Sequence, residues 1–170
     1  CSKEDAQEFI NIFFKVYPDI KAFLDREGSK GFDQGYSANI NGRRRYYQIP
    51  RLPSRYSVST ELFEVMRKAF YTAKGRVMRQ SANMVIQSLS ADITKLAIAK
   101  IAKLLADNGF PESNGLVLCI HDELILSIES TRAEEAALLL KEAMESAAIQ
   151  ILGDIVPLLV EPKITEHWSK

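Results

Sequence analysis

The 170 residues are 46% hydrophobic and 26% charged, with 22 Lys and Arg balanced by 22 Asp and Glu. That composition belongs to a folded domain rather than a disordered tail, and zero net charge removes any global field that would by itself draw nucleic acid or membrane. Cys1 and Cys119 offer neither a disulfide framework nor a cysteine metal cluster, and no stretch reaches the roughly 18 consecutive apolar residues of a membrane span, so an intracellular protein without a membrane partner is expected.

The chain opens on Cys1 rather than Met and is expected to begin inside a longer polypeptide. Ser2 and Asp5 have the spacing of a capping box, so a helix should start there. Phe9, Ile10, Phe13, Val16, Tyr17 and Ile20 recur at helical spacing and are expected to face a core, while Pro18 must bend this helix or open a second one. From Gly28 to Gly42 glycines and asparagines mark turns around a short strand, Tyr36 to Ile40, which delivers the basic run GRRRYY. Ile49 to Ser59 reads as a loop and Glu61 to Thr72 as a short helix.

The longest periodic element runs from about Arg76 to Ala106, stopped by Asp107, Asn108 and Gly109. At about 100° per residue, Met78, Ala82, Val85, Ile86, Leu89, Ile93 and Leu96 share one arc, the expected core face. Arg79, Asn83, Gln87, Ser90 and Thr94 form a polar stripe beside it. Two apolar strands follow, Leu116 to Ile120 and Leu124 to Ile128, joined through His121, Asp122 and Glu123, with Cys119 expected to pack as a small hydrophobe. Ala133 to Leu152 should be a helix capped by Thr131, and Pro157 to Ile164 a closing strand. Neither a repeat nor a clear second domain is visible.

Three features carry chemistry. His-Asp-Glu lacks the Asn-Gly or Gly-first pairs that tight hairpin turns favour, so these residues were not selected for turning alone. Adjacent carboxylates against apolar strands suit a hard divalent cation; a solvated polar turn is the alternative. Magnesium usually takes one or two protein carboxylates plus phosphates and waters, so a third acid is expected elsewhere. His121 does not fit a zinc site, because His167 is far away and no cysteine pair accompanies it; a hydrogen bond to substrate suits it better. The stripe of Arg79, Asn83, Gln87 and Ser90 offers fork and amide donors for phosphate, sugar or base edges, or else a buried amide network between helices. Arg43, Arg44 and Arg45, with Tyr46, Tyr47, Arg51 and Arg55, form the one concentrated basic patch, suited to a nucleic-acid backbone or simply to a solvated turn.

Together and in this order, QEFINIFFKVYPDIKAFLD, QGYSANINGRRRYY, RQSANMVIQSLSADITKLA, IHDEL and VPLLVEPKITEHW resemble the C-terminal part of family A DNA polymerases over nearly the whole chain. IHDEL resembles motif C of that family. The resemblance implies Asp122 as a catalytic metal ligand, Glu123 as a weaker catalytic and metal participant, and His121 as a contact near the primer end. It implies that Arg79, Asn83 and Gln87 approach primer-template duplex from the minor groove and that Arg43, Arg44 and Arg45 bind DNA. The implied chemistry is template-dependent nucleotidyl transfer from a dNTP by a two-metal magnesium site.

The implied fold is α+β: an antiparallel palm sheet with the metal-site hairpin packed on long helices, plus a helical remainder of the fingers. It reads as one partial polymerase domain, residues 1–75 carrying the fingers remainder and basic turn and 76–170 the palm. Motif A, an aspartate in a DYSQIE-like strand, and the motif B helix are absent, so the fragment alone is expected to be inactive and to need the N-terminal polymerase portion. Lacking a neighbouring palm strand, it would expose an edge open to homodimeric pairing. The family's QG[ST]AAD stands here as QSLSAD, similar to phage-type members in the serine after glutamine, and Leu52 to Phe70 is extra relative to bacterial enzymes. One half of a split polymerase, a non-catalytic duplex-binding module, and an unrelated α+β domain with an acidic hairpin are the competing readings.

Overall fold

The computed structural model describes residues 2–168, which divide between Leu89 and Ser90 into two compact units. Cys1 lies outside the described residues. In the first unit the Ser2–Asp5 capping box forms in both directions and opens α1 (Lys3–Val16). Pro18 takes the first position of a separate helix, α2 (Pro18–Gln34), where its missing N–H costs nothing, and Gly35 ends that helix at a φ of 75°. The apolar face of α1 is not core within this unit: none of its residues is buried, and Phe9 is 69% exposed. An amphipathic helix hides its stripe only where a second surface covers it, and α2 alone does not.

The strand expected over Tyr36 to Ile40 is shorter, β1 (Tyr36–Ala38), and pairs antiparallel with β2 (Arg44–Tyr46), Tyr36 opposite Tyr46. Asn39 ends β1. Its side-chain oxygen accepts the backbone N–H groups of Asn41 and Arg43, each at 3.0 Å, and Gly42 completes the turn at a φ of 81°. The basic run is thus half of a hairpin rather than a loose turn.

The two helices expected over Glu61–Thr72 and Arg76–Ala106 are one, α3 (Thr60–Asp107), of 48 residues. Between them stand only Ala73, Lys74 and Gly75, and a single helical glycine costs about 1 kcal/mol, too little to stop a helix of this length. In the first unit its buried positions are Val77, Ser81, Ala82 and Met84, whereas Ile86, expected in the core, is 57% exposed. Val77, Ser81 and Met84 follow the i, i+4, i+7 register of a single helical face.

In the second unit Ala97, Ile101 and Leu105 of α3 are buried with Ala136, Ala143 and Ala147 of α4 (Ala133–Leu152), whose small side chains let the helices approach closely. Gly109, at a φ of 68°, ends α3 as expected. β3 (Gly115–Ile120) and β4 (Glu123–Ser127) pair antiparallel and contribute Leu116, Leu124 and Leu126 to this core. The register shifts between Leu116 and Leu118, a bulge that leaves Val117 without a partner.

Three expectations fail here. β3 is not a buried strand, since Val117 is 62% exposed and Cys119 is an exposed free thiol rather than a packed one. The helix α4 is not capped by Thr131: Ser130–Arg132 forms a 3₁₀ turn running straight into it, and Arg132 occupies the cap position without a side-chain cap bond. Pro157–Ile164 is not a strand. A strand needs a neighbour, and the N–H of Val160 instead donates to the Glu145 carboxylate at 3.0 Å. Among the described residues no helix is long and apolar enough to cross a membrane.

Candidate functional site

The acidic hairpin is built by its register. Ile120 pairs with Glu123, so the turn holds only His121 and Asp122. A two-residue turn needs positive φ, and His121 supplies it at 53°, the only non-glycine residue to do so among those described. The turn thus has the φ sign expected of a type II′ geometry, with histidine in the place glycine usually takes. His121, Asp122 and Glu123 are all exposed, and among the described residues neither carboxylate has an ion-pair or side-chain hydrogen-bond partner. Glu123 is the first residue of β4, and the buried Leu124 next to it anchors the strand beneath. The hairpin is a firm base presenting two uncommitted acids.

Among the described residues no three His, Cys, Asp or Glu side chains converge as a metal-binding group. Asp122 and Glu123 are hard oxygen donors free to turn toward a cation, so the donor set fits magnesium in chemistry but supplies only part of its shell.

The polar stripe divides between the units, with Arg79, Asn83 and Gln87 in the first. Arg79, Asn83 and Gln87 are exposed on α3, and Arg79 lies about 200° around the helix from the buried Val77. A buried amide network is therefore not what these side chains form. Ser90 is exposed but belongs with Thr94 to the second unit, where the Thr94 hydroxyl donates to the Ser90 carbonyl of its own helix at 3.1 Å, leaving it to act toward a ligand as an acceptor.

The arginines are carried by the β1–β2 hairpin. Arg43, Arg44 and Arg45 are exposed; the Arg44 guanidinium lies 5.0 Å from the Tyr36 ring centroid and that of Arg45 5.7 Å from that of Tyr47. A side-chain hydrogen bond to Tyr46, followed by the charge interaction with Tyr36, holds Arg44 above the usual guanidinium range. Ring faces hold Arg44 and Arg45 without neutralising them, and a guanidinium has five N–H donors, so donors beyond the Tyr46 bond can meet an anion.

Two features escaped sequence reasoning. One is a buried hydroxyl chain of Tyr47, Ser37 and Ser81. The other is Arg132, whose guanidinium donates to the carbonyls of Asn108 and Gly109, pairs with both Glu135 oxygens and stacks 3.6 Å from the Phe110 centroid, tying the end of α3 to the start of α4. The Arg132–Glu135 spacing of three was the available signal for the second; nothing in a pattern of serines announces the first.

An exposed acid pair in one unit suits a hard cation and exposed arginines with an amide stripe in the other suit phosphate and base edges, and the chain is similar to known proteins that handle nucleic acid. It is 34% identical over 165 residues to the thermostable DNA polymerase I of Thermus filiformis and 34% identical over 172 residues to DNA polymerase I of a Synechocystis species, covering 97% and 99% of this chain. The chain spans only 17% and 16% of those relatives' lengths. The polymerase domain of Pol1 from M. smegmatis, solved with DNA primer-template and dNTP, superposes with a TM-score of 0.63 at 25% identity, over 86% of this chain and 23% of that one. The model of DNA polymerase family A matches residues 1–170, and the chain belongs to that family.

Proposed function

We propose that this chain is the C-terminal part of a DNA-directed DNA polymerase, in which Asp122 holds a catalytic metal and Glu123 assists it. The carrying observation is the two-residue turn: it exposes Asp122 with no partner among the described residues while Leu124 fixes the strand behind it. Asp122 and Glu123 would hold magnesium together with a carboxylate from the N-terminal polymerase portion; bound there, the metal supplies the positive charge that in-line phosphoryl displacement requires. His121 lies beside Asp122 in the turn and is assigned to orient the primer end by hydrogen bonding.

Arg79, Asn83 and Gln87 line the duplex on its minor-groove side, where acceptors are common to all base pairs and contacts test geometry rather than sequence. Arg43, Arg44 and Arg45 take backbone phosphates. Primer-template DNA and dNTP are the partners, and the 170 residues alone are inactive because the two acids need a third. Primer extension tests this: template-dependent synthesis should require the N-terminal portion, and synthesis by the isolated chain would overturn the reading. The specific observation favouring a non-catalytic duplex-binding module is the lack of a third converging acid among the described residues; in that case removing Asp122 would leave the activity of the assembled protein intact.

A further inference from the structure

Beneath the arginine hairpin three hydroxyl groups form a line. Tyr47 Oη lies 2.9 Å from Ser37 Oγ, Ser37 Oγ lies 2.5 Å from Ser81 Oγ, and Ser81 Oγ lies 2.6 Å from the carbonyl oxygen of Glu27. Proton counting orders the line. A carbonyl only accepts, so Ser81 donates to Glu27; its single proton being used, Ser37 must donate to Ser81, and by the same step Tyr47 donates to Ser37. Each hydroxyl then both gives and accepts, an arrangement in which neighbouring bonds polarise one another.

The line is enclosed. Ser81 is 0% and Ser37 6% exposed. Room for it comes from α2: a Cβ placed on Gly31 would stand 1.8 Å from Ser81 Oγ and 2.8 Å from Ser37 Oγ, and one on Gly28 would stand 3.1 Å from the Met78 carbonyl oxygen. One hub thereby joins three elements, α2 through Glu27, β1 through Ser37 and α3 through Ser81. Its outer end, Tyr47, follows β2 directly and lies beneath the Arg45 guanidinium. Its inner end, Ser81, is on the buried face of α3, about 160–200° around the helix from the exposed Arg79 and Asn83.

We propose that Ser81 is a positioning residue which, through Ser37 and Tyr47, holds the arginine hairpin in a fixed pose against α3, so that Arg43 to Arg45 meet a duplex backbone as a preset surface. The inference rests on the duplex-binding reading above. Without the lock, a two-stranded hairpin of three residues a side is marginal, and ordering it would draw on binding energy.

The test uses the full-length polymerase containing this chain, with affinity for a primer-template duplex measured against potassium chloride concentration and hydrogen exchange followed at the hairpin amides of Arg43 and Tyr47. Tyr47→Phe removes one hydroxyl at constant shape and Ser81→Ala removes the hub; if Ser81→Ala misfolds, Tyr47→Phe decides. Tyr47→Phe should speed exchange at both amides and lower the slope of log affinity on log salt by about one, the loss of one phosphate contact. Arg45→Ala should weaken binding about tenfold in the parent but less than about twofold in the Tyr47→Phe background, since a contact already loosened cannot be lost again. Unchanged exchange, or equal effects of Arg45→Ala in both backgrounds, would overturn the lock. A purely structural role would lower Tm and leave the salt slope unmoved, which also overturns it. Faster exchange with no effect of Arg45→Ala in the parent would sustain the lock and sink the duplex-binding reading of the arginines.

Discussion

Ile120 and Glu123 are register partners across the tip of the β3–β4 hairpin, which leaves only His121 and Asp122 in the turn and places the positive φ of 53° on His121. A non-glycine side chain in that region costs about 1–2 kcal/mol, and glycine's added freedom in the unfolded chain costs about 0.5–1 kcal/mol. His121→Gly is therefore expected to stabilise the protein slightly, by about 0.5 kcal/mol, while His121→Val, β-branched in a left-handed position, costs about 1 kcal/mol or more. Denaturant midpoints of the two variants check this. If both prove equally stable, the turn is not paying for its histidine, and the functional argument for a strained residue at the tip weakens.

Two glycines respond oppositely to the same change. At Gly31 a methyl group would stand 1.8 Å from Ser81 Oγ, so Gly31→Ala should destabilise by about 3 kcal/mol through overpacking and loss of the buried hydroxyl line. At Gly75 the nearest atom is the flexible end of Arg79, 3.3 Å away, and Gly75→Ala should stabilise α3 by about 0.5–1 kcal/mol. Thermal denaturation of the pair reads both signs; a destabilised Gly75→Ala variant would argue against the unbroken helix.

The Arg132–Glu135 pair sets an acid-limb prediction. The hydrogen bond from Arg132 is the main cause that lowers the Glu135 carboxyl below its ordinary range. A lowered folded-state value means a contribution present above the unfolded value, about 4.5, and lost as pH falls through the folded one. Tm of the parent should therefore fall more steeply than that of Glu135→Gln below about pH 4.5, with a small difference at neutral pH because the pair is solvent-screened. Parallel Tm curves across that range would show that the pair contributes nothing to folding.

Local rules were legible where local chemistry decides. The Ser2–Asp5 box, Pro18 at a helix start, the stop at Gly109 and the hairpin around Asp122 all rest on interactions within a few residues. What was not legible depends on tertiary partners. Of the expected apolar arc Ala82 is buried and Ile93 and Leu96 pack on a core, but Ile86 is exposed, and Val77, Ser81 and Met84 are buried outside the arc, because the two glycines of α2 admit backbone contact and a buried serine that a hydropathy wheel counts as polar. The 157–164 segment has the composition of a strand, but composition cannot supply the neighbour that would make it one. The site residues were readable as residue types in an order; the exposure of Asp122, and of Arg79, Asn83 and Gln87, needed the fold.

On the proposed function, Asp122 holds a catalytic metal in a DNA polymerase. The direct test is single-turnover nucleotide incorporation by the full-length enzyme carrying Asp122→Asn, an isosteric change that keeps the turn and removes the charge. The rate should fall about a thousandfold or more while duplex affinity stays within about twofold, the signature of charge withdrawn from the transition state rather than from DNA binding. A variant incorporating nucleotide at a rate within about tenfold of the parent would contradict it.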